Sequence, residues 1–212
     1  MNITLFGSTG SIGLHLINQA LDQGHTITAF TRDPAKLTQN HDRLIPIQGD
    51  IHDPAAVERA TQNQDAVICA LGMPLLNNEK LRAKGTKNII HAMNTTGVSR
   101  LICLSSMGTA ESHKLLPAKY KYLIAPLFMR RLFADHALQE HAIKQSNLDW
   151  TIVRPGAFTK DALNPSTQTY RHGFTIADKK SQAQISRPHV AEFLLKQLTD
   201  TLYLHKSPSI SY

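Results

Sequence analysis

The chain has 212 residues, 23 Lys and Arg against 16 Asp and Glu, a formal charge of +7 and two cysteines. That length buries a substantial core without disulfides or metals, yet is short for two full domains. No apolar run approaches the ~18 residues of a membrane-spanning helix, and the basic residues are dispersed rather than gathered with aromatics into a nucleic-acid footprint.

Met1 to Phe6 reads as a strand, which leaves no room before it for a signal peptide and predicts a cytoplasmic protein. The strand runs into Gly7-Ser8-Thr9-Gly10-Ser11-Ile12-Gly13 and then an amphipathic helix carrying Leu14, Ile17, Ala20 and Leu21. Gly7 suits the tight turn, Gly10 lets backbone N–H groups approach a pyrophosphate, and Gly13 lets the helix lie close to the strand. The helix start adds unpaired donors and a positive dipole end. Strand, glycine turn and helix in this order predict a dinucleotide site.

Thr26 to Thr31 is a second strand, ended by Arg32-Asp33-Pro34, and Leu44 to Gln48 a third, followed by Gly49-Asp50. A short helix over Pro54 to Thr61 leads to Ala66–Ala70, a continuous apolar run of the kind covered on both faces. Helical spacing marks Leu81 to Met93, closed by Gly97; Arg100 to Leu104 is the fifth strand, Leu132 to Gln145 a long helix, and Asp149 to Val153 the sixth strand. This alternation predicts an α/β fold, a Rossmann-type doubly wound parallel sheet. One domain is expected over 1–212, with a core at 1–156 and a C-terminal substrate-side extension at 157–212. In that extension, 157–184 reads as loop with short strands. A helix then starts at Ser186 or Arg187 with Pro188 and runs to Leu198, and a last strand at Ser209 to Tyr212 joins a sheet edge. Cys69 and Cys103 fall in strand-like runs and are expected as buried free thiols.

Ligands of an open α/β sheet sit at the carboxyl ends of its strands. After the second strand stands Arg32, with Lys36 four residues on, a pair suited to a ribose 2′-phosphate; NADP(H) is therefore favoured over NAD(H). Asp50 and Ile51 are placed at the adenine edge, and Ala70, Leu71 and Gly72 where backbone passes the cofactor ribose. Ser105 and Ser106 follow the fifth strand, where a hydroxyl faces nicotinamide or substrate; Pro155, Gly156 and Phe158 follow the sixth and frame the nicotinamide pocket.

The segments GSTGSIG, FTRDPAKL, GDIHD, GTKNIIHAM, LSSMG, FADHALQEHAI, LDWTIVRPGAFT and ISRPHVAEFLLKQL, in this order along nearly the whole chain, resemble the short-chain dehydrogenase/reductase superfamily. The likeness is to its atypical NAD(P)H-binding branch, which holds NmrA-like proteins and the flavin reductase/biliverdin reductase B type. The resemblance implies fold and cofactor, and much less about substrate.

Ordinary reductases of that superfamily use a Tyr-x-x-x-Lys pair on one helix face, Tyr giving a proton to the carbonyl oxygen. Here the residues four beyond Tyr120, Tyr122, Tyr170 and Tyr203 are Ile124, Pro126, Phe174 and Ser207, and Tyr212 ends the sequence. The pair is absent, and its usual places fall at Phe133 and Ala137. Hydride transfer to a flavin or quinone delocalises the incoming charge, so a positioned acid matters less than stacking and orientation. The sequence therefore predicts an NADPH-dependent oxidoreductase acting on a flavin, quinone or similar planar acceptor. Ser106, Asp135 and His136 are candidate catalytic helpers.

The segment from His113 to Arg131 mixes apolar and basic residues and reads as a lid over the substrate or as packed helix. Arg154 is expected in a structural salt bridge or a cofactor loop, and His136 with His141, five apart, lacks the spacing of a helical zinc pair, so no metal is expected. The alternative function is an NmrA-like, non-catalytic NADP(H) sensor; an isomerase or epimerase of this fold is disfavoured by the missing Tyr and Lys.

Overall fold

The computed structural model describes residues 1–72, 80–116, 129–159, 169–174 and 183–212. Strands β1 (Asn2–Phe6), β2 (Thr26–Thr31), β3 (Leu44–Gln48), β4 (Ala66–Cys69), β5 (Arg100–Leu104) and β6 (Asp149–Pro155) pair in parallel in the order β3-β2-β1-β4-β5-β6. The order reverses between β1 and β4, the switch point of a doubly wound sheet. In-register pairs such as Leu5 with Ala29 and Ile68, and Cys69 with Cys103, carry the ladder across it.

Both faces are covered, which explains why the strands are apolar without alternation. Ile3, Leu5 and Ile68 point to one layer with Leu16 and Ile17 of α1 (Ser11–Asp22). Phe6, Val67 and Cys69 point to the other, against Val57 of α2 (Pro54–Thr61), Ile89 and Met93 of α3 (Leu81–Thr96) and Ile143 of α4 (Arg130–Lys144). Each fully buried Leu, Ile or Phe contributes about 1.5–3 kcal/mol relative to exposure. Helix ends follow local chemistry. Pro54 opens α2 behind Asp53, whose carboxylate accepts the Ala55 N–H, and α3 stops at Gly97 with φ +77°.

The late part of the chain is built into this frame. Short strands β7 (Ala157–Phe158) and β9 (Gln184–Ile185) pair with each other, and α5 (Arg187–Lys196) packs on α1. Strand β10 (Ser209–Ser211) is parallel to β6, and β8 (Arg171–His172) is antiparallel to β10. Two differences from the sequence expectation share this cause. Strand β6 runs on to Pro155 because Ser209 and Ile210 pair with Arg154 and Pro155, and β10 lies inside β8 rather than at the edge. Helix α5 stops two residues early, at Lys196, where Leu198 turns its N–H back to Leu195. Of the expected lid, Ala110–Leu115 forms a 3-10 helix and Arg130 starts α4; residues 117–128, with Tyr120 and Tyr122, lie outside the described residues.

Candidate functional site

The glycine turn is shaped by backbone contacts that admit no side chain. Gly7 has φ +90°, and a Cβ there would run into the Ala70 carbonyl; a Cβ on Gly13 would overlap the carbonyls of Gly7 and Ser8. Gly10 is the N-cap of α1, which has no side-chain cap and no acidic residue in its first turn. Its first N–H groups and dipole end are therefore available to an anion. Thr9 and Ser11 lie on the accessible side of the turn, whereas Ile12 is buried in the core. Ser8 departs from expectation, because its hydroxyl is fully buried and donates to the Phe30 carbonyl at 2.9 Å. It ties the turn to β2 and offers a ligand only its backbone.

One residue at this turn escaped the sequence reading. Arg187, at the start of α5, donates from Nε to Ser11 Oγ at 3.2 Å and from Nη1 to the Thr159 carbonyl at 3.1 Å, with its guanidinium 5.0 Å over the Phe158 ring. It also helps burial lower the pKa of His15. A cation in a helix's first turn opposes the helix dipole, and that local misfit was the available signal.

At the end of β2, Arg32 is exposed and its carbonyl accepts from Gln48. Lys36 stands 3.8 Å from Asp33, whose carboxylate also accepts the Ala35 N–H. Asp50 is turned to the His52 N–H. Ile51 is buried and its carbonyl accepts from Asn88 at 2.8 Å. Beyond β4, Ala70 is buried, the Leu71 carbonyl accepts from Arg82, and Gly72 borders open space. The ends of β1 and β4 thus lie side by side at the switch point.

The expected catalytic residues divide sharply. Asp135 is 3% exposed and accepts the N–H groups of Arg82 and Ala83 and the Arg82 guanidinium, at 3.1–3.4 Å. It secures the first turn of α3, and its charge is spent there. His136 is 5% exposed, and burial pushes its pKa down to about 4. Its Nδ1–H donates to Gln139, which in turn donates to Thr86. Burial favours the neutral His136 ring near pH 7 and the Asp135 carboxylate is engaged by the start of α3, so both expected helpers have structural partners here. Ser105, expected to face the cofactor, instead donates to Glu140 at 2.7 Å. Ser106 remains half-buried at the strand end, with its hydroxyl bonded to the Met107 carbonyl at 3.3 Å. Phe133 and Ala137 are half-buried on α4, Phe133 lying against Gly108.

Beneath these residues lies a buried ion cluster. Arg154, 2% exposed, binds both oxygens of Glu140, at 2.9 Å from Nε and 2.5 Å from Nη2, and reaches Glu111 at 2.7 Å from Nη1. The hydrogen bond from Arg154 lowers the Glu111 pKa to about 2. Arg154 is thus the salt-bridge residue of the two roles open to it. Beyond it, Pro155 is buried, its carbonyl accepting the Met107 N–H, and Gly156 packs on the backbone of Ala183. Phe158 is exposed beneath Arg187. The end of β6 therefore meets the glycine turn through Phe158, Arg187 and Ser11.

A family model described as NAD(P)H-binding matches residues 7–201. The chain belongs to this NAD(P)H-binding family. Among solved structures, a short-chain dehydrogenase/reductase from Veillonella parvula in complex with NADP superimposes with TM-score 0.80 at 21% identity, over 100% of this chain and 94% of that one. ChuY, an anaerobillin reductase from Escherichia coli, gives TM-score 0.80 at 20% identity over 100% and 97%. Both confirm the Rossmann-type fold. The photosystem II assembly factor Ycf39 of Synechocystis is 27% identical over 77% of this chain, which spans only 47% of that protein.

The residues fit the dinucleotide the family implies. The uncapped start of α1, a turn in which Gly7 and Gly13 admit no Cβ, and a Gly72 with no described neighbour within 4 Å of a Cβ are what close approach of a pyrophosphate and ribose requires. No helix among the described residues is long and apolar enough to cross a membrane, and among them no group of three or more His, Cys, Asp or Glu could hold a metal.

Proposed function

We propose that this NAD(P)H-binding protein is an NADPH-dependent reductase of a flavin, quinone or similar planar acceptor. The reading is carried by helix α4: Asp135 and His136 are buried and engaged, and the sequence comparison with ordinary reductases puts Phe133 and Ala137, which can neither donate a proton nor carry charge, where their acid and lysine are expected. When bound, the dinucleotide supplies hydride. The start of α1, with Gly7 to Gly13 and Arg187, holds the pyrophosphate, and Arg32 with Lys36 holds the 2′-phosphate. Ser106 orients the ring edge, while Pro155, Gly156 and Phe158 bound its pocket. An acceptor that spreads the incoming charge takes its proton from solvent, so orientation of the stacked rings is the protein's main contribution.

The test is NADPH oxidation by the purified protein with FMN, riboflavin and a quinone series. Turnover with a planar acceptor supports the reading; nucleotide binding without turnover on any of them overturns it. That outcome favours the second reading, a non-catalytic NADP(H) sensor, for which the assembly-factor relative speaks. Arg32→Asp should weaken NADPH binding far more than NADH binding, and equal weakening removes the 2′-phosphate assignment.

A further inference from the structure

At the other end of the sheet from β3, where β6, β10 and β8 meet, lies a pocket of about 380 Å³. That volume falls within the range of small-molecule sites, about 300–1,000 Å³. Among the described residues that line it, none belongs to the glycine turn, and neither Ser106 nor Phe158 is one of them.

The sheet's alternation makes the pocket. Trp150 and Ile152 of β6 face the α3–α4 layer, and Arg154 follows them on the same side. On β10, Ile210 points into the opposite layer, with α1 and α5, which leaves the small Ser209 to line this side. The 3-10 helix Ala110–Leu115 forms the cover. Gly173 opens the far wall: it has φ +66°, and a Cβ there would run into the Tyr203 hydroxyl. Tyr203 is itself fixed by a 2.7 Å hydrogen bond with His172 Nδ1 and an edge-on ring contact.

The lining has two chemical halves. Tyr203, Phe174 and Leu115 supply aromatic and apolar wall, and the lining also includes two exposed lysines, Lys114 and Lys206. Lys206 spends one donor on the Leu202 carbonyl. Among the described lining residues the one carboxylate is Glu111, which is held by Arg154, whose other face is satisfied by Glu140. Among the described residues neither lysine forms an ion pair with Glu111. A simple inorganic anion would leave the aromatic wall unused, and a neutral aromatic would leave both ammonium groups without a counter-charge.

We propose that this pocket is a second binding site, for a small aromatic carboxylate whose ring lies against Tyr203 and Leu115 and whose charge is met by Lys114 and Lys206. The proposal concerns binding, so binding alone tests it. The probe is 2-naphthoate, compared with its neutral analogue 2-naphthamide, by calorimetry and ligand-observed NMR, with and without saturating NADPH. The expected result is binding of the carboxylate at least tenfold tighter than the amide and unaffected by NADPH. The variant Lys114→Gln with Lys206→Gln should bind naphthoate about tenfold more weakly, a change of ~1.4 kcal/mol, with an unaltered melting temperature. Equal affinity for acid and amide, displacement by NADPH, undiminished binding by the double variant, or no binding up to millimolar naphthoate overturns the proposal. None of these outcomes depends on whether NADPH is oxidised.

Discussion

Replacing Arg154 by Met removes a cation from between two carboxylates of very different exposure. Its fork to Glu140 joins two side chains that are each 2% exposed, while its contact with Glu111 reaches a side chain 64% exposed. Removing one member of a buried pair costs about 3–5 kcal/mol, and Glu140 would keep only the partly exposed Lys144, 3.5 Å from its Oε2, as a counter-charge; the exposed contact is worth about 0–1 kcal/mol. Arg154→Met should therefore destabilise by ~3–5 kcal/mol, nearly all of it through Glu140, and lower the melting temperature by roughly 10 °C for a chain of this size. Urea unfolding followed by circular dichroism reads the free energy. The decisive comparison is the double variant Arg154→Met with Glu140→Leu. With no charge left inside, it should be more stable than Arg154→Met alone. The remaining deficit should be about 1–3 kcal/mol, because Ser105 loses its acceptor. A single variant within 1 kcal/mol of wild type, or a double variant showing the full sum of the two single losses, would refute the reasoning.

Other consequences are equally direct. Glu111 has its pKa lowered from 4.5 to about 2, so its stabilising contribution is complete above pH 4.5 and lost as pH falls through about 2. Glu111→Gln should flatten the acid limb of stability in that window, modestly because the side chain is exposed; an unchanged limb contradicts the assignment. For His136 the neutral ring is the folded form, so its contribution is complete above pH 6.5 and is lost as pH falls toward 4. Its ring should titrate near pH 4 by NMR, and His136→Gln should leave the pH profile of any NADPH oxidation between pH 6 and 8 unaltered; a changed profile would return it to the proton path. Gly13→Ala should cost ~1–3 kcal/mol by overpacking against backbone and weaken NADPH at least tenfold; normal stability and affinity would show that the turn yields.

The parallel frame was legible because each of β1 to β5 is a short, mostly apolar run bounded by its own turn residues, a pattern that local sequence carries by itself. Thr26–Thr31, Leu44–Gln48 and Arg100–Leu104 coincide with the expected strands residue for residue. What local sequence does not carry is partnership at long range. Asp135 in FADH reads as one half of an acid–histidine pair, yet its partners are N–H groups more than fifty residues earlier. Ser105 and Ser106 are indistinguishable in sequence, and only the placement of Glu140 turns one inward. Arg187 reads as a helix start, because its neighbour Ser11 lies at the opposite end of the chain.

The insertion of β10 between β6 and β8 has a consequence for the order of events in folding. Until residues 206–211 arrive, more than fifty positions after Thr151 to Pro155, β6 is an open parallel edge with unspent donors and acceptors. Closing so long a loop is entropically slow compared with helix formation. In that interval the edge is a template on which another chain can add a strand. Once β10 docks, the sheet among the described residues ends in β8, an antiparallel strand of two residues that offers little further pairing length. The last strand to pair thus turns an adhesive nascent sheet into an inert one.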